Sequence, residues 1–98
     1  MKALRFALGV ATVMVSAVPA FAASPAPPGA ASCSGCHPAG ASVASPISRL
    51  YGRDAGEIVT AMTGFRDGSI PSTVMNRIAK GFSDDELRAI AAWLAAQK

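Results

Sequence analysis

The chain has 98 residues, a formal charge of +3 and 51% hydrophobic residues. A length of this order holds one small domain. With Lys2 and Arg5 set aside, seven Lys and Arg face six Asp and Glu, a balance near neutrality that excludes a nucleic-acid-binding footprint.

The N-terminal run MKALRFALGVATVMVSAVPAFA opens with two cations, continues as uncharged apolar residues from Phe6 to Val18, and breaks at Pro19. That is the layout of a secretory signal peptide. Ala20 and Ala22 flank Phe21 in an A-x-A cleavage pattern. Residues 1–22 are therefore expected to be the signal peptide and residues 23–98 the exported domain, placed in the periplasm. The alternative is a retained anchor, but the apolar run is shorter than the ~20 residues a spanning helix needs, so no membrane span is expected after processing. The 76 residues that remain include four aromatics, Tyr51, Phe65, Phe82 and Trp93. Domains this small usually need a disulfide, a metal or a cofactor to complete their core.

Next comes ASCSGCHPAG, residues 31–40, which holds both cysteines and the single histidine of the chain. A disulfide between Cys33 and Cys36 would close too short a loop to constrain the unfolded chain. A thioredoxin-like dithiol needs a preceding strand, and ASPAPPGAAS has no strand-forming run. A structural zinc site uses four ligands, whereas Cys33, Cys36 and His37 supply three. The remaining chemistry is covalent haem attachment, for which C-x-x-C-H is the local signature. Two thiols about one helical turn apart can form thioethers with the two vinyl groups of a haem, and the adjacent histidine falls beneath the iron. As the proximal ligand His37 would donate its second ring N–H to a carbonyl. A rigid loop around Pro46 is one source of that carbonyl; an ordinary turn proline is the other reading of Pro46.

Beyond a Gly, Ala and Ser-rich loop, DAGEIVTAMTGFRDG is expected to be a helix. Asp54 is its cap, Glu57 sits at the third position, Gly68 follows its end, and Ile58, Val59, Met62 and Phe65 form its apolar stripe. Gly56 and Gly64 weaken it. SIPSTVMNRIAKGF contains Pro71 and a short helical piece from about Val74 to Lys80. The last helix, SDDELRAIAAWLAAQK, starts with a Ser83/Glu86 capping box and lines Leu87, Ile90, Ala91 and Leu94 along one face. No segment alternates like a strand, so the fold class is all-α.

A haem held by histidine has a sixth position, which electron carriers commonly fill with Met. Outside the signal peptide the candidates are Met62 and Met75. Met62 belongs to a helical apolar stripe, where a flexible core filler is the ordinary role. Met75 follows a proline-containing loop that can carry its sulfur to the distal face, and it is the preferred candidate. Val74, Ile78, Phe82, Leu50, Tyr51 and Leu94 are expected to wall the pocket. Arg77 and Lys80 flank Met75 and could steer an acidic partner surface or simply be solvated.

Taken together, these features resemble a class I c-type cytochrome, most closely the cytochrome subunit of flavocytochrome c sulfide dehydrogenase. The resemblance is carried by C-x-x-C-H at 33–37, SVASPI at 42–47 and GFRDGSIPSTVMNRIAKGFSDDEL at 64–87. It implies a small helical fold wrapped around one covalently attached haem c, with Cys33, Cys36, His37 and Met75 binding the cofactor and His37 and Met75 coordinating iron. It implies an electron carrier and not an enzyme, with a flavoprotein sulfide dehydrogenase subunit as donor and a downstream electron acceptor. One departure stands out. Pro25, Pro27 and Pro28 leave room for only a short turn, about Gly29 to Cys36, where the family has an N-terminal helix crossing the last one. The other functions in view are a free, diffusible monohaem carrier with another donor, and a haem enzyme or sensor with an open sixth position.

Overall fold

The structure, a computed structural model, describes residues 13–17 and 24–98. The expected cleavage site and most of the expected signal peptide lie outside the described residues. Residues 13–17 carry no regular secondary structure and are exposed.

The described residues form four α-helices and no strand: α1 (Ala30–Cys33), α2 (Ala55–Asp67), α3 (Met75–Ala79) and α4 (Asp84–Ala96). The all-α expectation is met. Among the described residues no helix is long and apolar enough to cross a membrane.

Helix α4 begins where the sequence places it. The Ser83 hydroxyl accepts from the Glu86 N–H at 3.2 Å, and the Glu86 carboxylate accepts from the Ser83 N–H at 2.7 Å. Asp84, Asp85 and Glu86 occupy its first turn, where the helix dipole favours negative charge. Its buried face is Leu87, Ile90, Ala91 and Leu94, as the spacing predicts. Ser83→Ala removes the acceptor for one otherwise unpaired N–H, so it is expected to lower stability by about 1 kcal/mol. A urea titration checks this, through a reduced midpoint at unchanged slope.

Helix α2 is capped by Asp54, whose carboxylate accepts from the Glu57 N–H at 3.0 Å, and it ends at Gly68. Ile58 is buried, while Val59, Met62 and Phe65 are half-buried. Gly64 is not a weak point in this helix. A Cβ there would lie 2.5 Å from Ile70 Cδ1, so the missing side chain is what lets the following loop fold back onto α2. The Gly64 carbonyl accepts from the Ile70 N–H at 3.0 Å and holds that return. Arg66, in the last turn, donates to the Phe82 carbonyl at 3.2 Å and pairs with Asp84, tying the end of α2 to the start of α4. The guanidinium holds the Asp84 carboxyl below its ordinary range, first through the hydrogen bond and then through its charge.

Helix α1 is a single turn, as the prolines require. Gly29 precedes it at φ 86°, and a Cβ on Gly29 would sit 2.7 Å from Phe82 Cε1, so only glycine admits both this backbone and the aromatic beside it. Ala30, fully buried, packs with Ile90, Ala91 and Leu94 of α4. The crossing of first and last helices is thus reduced to one turn made on small side chains. Trp93 is engaged elsewhere: its ring N–H donates to the Ser24 carbonyl at 3.0 Å, and Tyr51 meets it edge-on at 5.8 Å.

Among the described residues the buried apolar ones are Ala30, Ile58, Ala79, Leu87, Ile90, Ala91 and Leu94. Three of these are alanines, and Leu94 is the largest side chain buried completely. This is little for a domain to stand on, and the reason is visible next to it.

Candidate functional site

The turn of α1 does not stop at Cys33. The Cys33 carbonyl accepts from the Cys36 N–H at 3.2 Å and from the His37 N–H at 2.9 Å, so C-S-G-C-H stays wound and the two thiols stand about one turn apart. Both thiols are free. Cys36 is exposed and Cys33 half-buried, and burial pushes the Cys33 thiol above its ordinary pKa, partly offset by a hydrogen bond to its own backbone. Among the described residues no group of three or more His, Cys, Asp and Glu is gathered to hold a bare metal ion.

His37 is oriented by its backbone and by a loop. Its Nδ1 lies 2.6 Å from the Ser48 carbonyl oxygen. A carbonyl only accepts, so Nδ1 carries the proton and Nε2 keeps its lone pair free to coordinate. The accepting residue is Ser48, two residues past Pro46. The loop between is closed a second time by Arg49, whose Nε–H donates to the Ala39 carbonyl at 2.9 Å.

These residues open onto a cavity of about 430 Å³, within the size range of small-molecule and cofactor sites. Cys33, Cys36 and His37 form one side of it. The other walls are Leu50, Ile58 and Met62 from the middle of the chain, Val74, Met75, Ile78 and Phe82 around α3, and Leu87, Ile90 and Leu94 from α4. At its mouth Ile47, Val74 and Ile78 are 41, 51 and 40% exposed, apolar surface that a monomer ordinarily covers. A smaller chamber of about 140 Å³ shares His37, Leu50, Ile58, Met62 and Met75 with the first and adds Ser48, Arg53, Glu57, Ala61 and Phe65.

Most of the sequence-predicted residues therefore meet. Cys33, Cys36, His37 and Met75 line one cavity although 42 positions separate the first from the last. Met62 lines it too. Of the predicted wall, Val74, Ile78, Phe82, Leu50 and Leu94 are in place, while Tyr51 is not among the lining residues. Its ring is taken up by the edge-on contact with Trp93. Arg77 and Lys80 are exposed, and neither joins the ion pairs formed among the described residues. The Ser48 carbonyl could not be singled out in advance because a backbone acceptor leaves no mark in the side-chain pattern. Ile58, Leu87 and Ile90 were legible only as helix stripes, not as cavity walls.

Two free thiols and an imidazole whose Nδ1 is taken by a backbone carbonyl lie at one end of an apolar cavity, with thioether sulfurs also on its wall. No protein-family model matches the chain. It is 43% identical over 60 residues to the cytochrome subunit of sulfide dehydrogenase of Chlorobaculum tepidum, covering 61% of this chain and 54% of that protein. It is 35% identical over 63 residues to cytochrome c-552 of Acidithiobacillus ferridurans, covering 64% of this chain and 27% of that protein. The chain resembles the class I c-type cytochromes. A third relative, the thiosulfate dehydrogenase electron acceptor of Stutzerimonas stutzeri, is 39% identical over 71 residues, which are 70% of this chain and 33% of that protein. The matched regions span about half of the first relative and a third or less of the other two.

Proposed function

We infer that the protein is a periplasmic electron carrier that binds one haem c, linked through Cys33 and Cys36 and coordinated by His37 and Met75. The observation that carries this reading is the His37 arrangement: Nδ1 is committed to the Ser48 carbonyl while both free thiols and Met75 line the same apolar cavity. The residues present fit the group. Two thiols one turn apart match two attachment points, Nε2 is available to iron, and the exposed Ile47, Val74 and Ile78 offer the apolar cover a porphyrin face takes. Met75 is favoured over Met62 because Met62 packs against the buried cluster of Ile58, Ile90 and Leu94, whereas Met75 does not belong to it.

A bound haem iron supplies one-electron exchange between its ferrous and ferric forms. The chain's own part is to hold and shield. The Ser48 carbonyl fixes the His37 ring, Ser72 accepts from the Asn76 N–H at 2.9 Å and sets the turn that carries Met75, and the aliphatic wall keeps water out, which disfavours added charge on the ferric centre and raises the potential. Arg77 and Lys80, exposed beside Met75, suit an acidic docking surface.

The similarity to the sulfide dehydrogenase subunit supports a flavoprotein sulfide dehydrogenase as donor and a further acceptor downstream. Export follows from residues 1–22. Exported protein is expected to show the mass of residues 23–98 plus one haem, and sulfide is expected to reduce it only when such a flavoprotein is added. Haem-bearing protein that neither binds the flavoprotein nor accepts its electrons would be a free carrier with another donor.

A further inference from the structure

Resting on the reading of Met75 as the distal ligand, we propose that Arg66 is the positioning residue for that ligand: it clasps the outgoing end of the segment that carries Met75, and breaking the clasp opens the sixth position of the iron to small external ligands. The segment runs from Gly68 to Ser83, between the end of α2 and the start of α4. Two tethers close it onto α2. At the incoming end the Gly64 carbonyl accepts from the Ile70 N–H at 3.0 Å. At the outgoing end Arg66 donates through Nη1 to the Phe82 carbonyl at 3.2 Å and through Nη2 to the Asp84 carboxylate. Met75 lies between them, five residues past Ile70 and seven before Phe82.

What lies between the tethers has little hold of its own. Among the described residues, the hydrogen bonds made from Pro71 to Gly81 stay inside the segment: Asn76 N–H donates to Ser72 Oγ, Arg77 and Ile78 N–H to the Val74 carbonyl, and Gly81 N–H to the Ile78 carbonyl. Of α3 only Ala79 is buried, while Val74 and Ile78 are exposed. Asn76, next to Met75, buries its Oδ1 with no partner among the described residues, a cost to the closed position. Segments held so lightly open readily, so the tethers, more than α3 itself, fix where the Met75 sulfur sits. The Arg66 tether is the stronger of the two, because a charged donor outweighs a neutral backbone N–H and its side chain is only 29% exposed. Asp84 is 66% exposed and adds little by charge; it aims the planar fork. The clasped carbonyl belongs to Phe82, whose ring lines the cavity and lies beside Gly29. One guanidinium thus ties the Met75 segment to α2 and, through that ring, to the turn that leads to the cysteines.

The test titrates the exported, haem-bearing ferric protein with imidazole, which competes with a thioether for iron, and reads the loss of the charge-transfer band of Met-bound haem. Arg66→Gln is expected to bind imidazole about tenfold more tightly, the shift between closed and open segment that one charge-assisted hydrogen bond controls. Two variants serve as controls. Arg88→Gln removes a cation that pairs with Asp85 on α4 and lines neither chamber. Asp54→Ala removes the cap at the far end of α2. Both should stay within about twofold of the wild type, which separates the clasp from loss of charge and from loss of helix stability. Equal affinities in Arg66→Gln and Arg88→Gln, or an equal gain in Asp54→Ala, would overturn the proposal while leaving the ligand reading intact. Wild-type protein with attached haem but without the band would overturn both. If Arg66→Gln does not accumulate with haem, Arg66→Lys decides. It keeps the charge but offers one nitrogen to two acceptors, so about threefold tighter binding is expected, and wild-type affinity overturns the proposal.

Discussion

Exported protein with Cys33→Ala and Cys36→Ala is expected to lose its cooperative thermal transition and most of its helical circular dichroism, while the unaltered protein melts in one step. The reasoning starts from the core. Among the described residues seven apolar ones are buried, three of them alanines, and α1 contributes a single turn. Stability for a domain of this size is roughly 4–11 kcal/mol. The aliphatic side chains around the cavity are worth ~1.5–3 kcal/mol each when fully covered; at the 40 to 51% exposure of Ile47, Val74 and Ile78 about half of that depends on what fills the cavity. Summed over the remaining walls, Leu50, Met62, Met75 and Phe82, the contribution approaches the whole stability of the domain. The prosthetic group is therefore expected to be the larger half of the core. The double variant retains its caps and helix stripes but has little to pack them against. A sharp melt with undiminished helix signal would show that the polypeptide core suffices by itself.

How much of this was legible in the residues differs by kind of interaction. Local chemistry was readable: the Ser83/Glu86 box, the Asp54 cap and the α4 stripe depend on residues three or four apart, and each appears as expected. The short α3 was readable for the same reason. Tertiary choices were not. Tyr51 was expected on the pocket wall, yet one turn of backbone sends its ring to Trp93, and nothing in the order of residues distinguishes those two apolar destinations. Gly64 looked like a flaw in a helix until the Ile70 side chain was seen to need its space. The site itself was half visible. Cys33, Cys36 and His37, the proposed attachment and proximal residues, lie within five positions and read as one motif, while the far wall is assembled from three separate helices. The Ser48 carbonyl and the Arg53 and Glu57 side chains enter only through folding.

Replacing Met75 has the most diagnostic consequence. Met75→Ala is expected to abolish the charge-transfer band of Met-bound ferric haem and to lower the potential by on the order of 0.1 V, a modest part of the roughly 0.8 V that axial ligands can command. Met62→Ala should keep the band and instead reduce stability by about 2–5 kcal/mol, the ordinary cost of truncating a packed side chain, tempered by its half-burial. Both sulfurs line the cavity, so proximity does not choose between them. Anchorage does. Met62 lies in mid-helix, with regular turns on either side and the buried cluster against it, and moving its sulfur to a ligand position would leave a gap at Ile58 and Ile90. Met75 is the first residue of a five-residue helix whose start is set by the Ser72 hydroxyl and the Pro71 loop. A loop can place one atom without disturbing a packed face. The opposite pattern, with the band surviving in Met75→Ala and vanishing in Met62→Ala, would move the distal ligand to α2 and leave α3 as a cover for the haem edge.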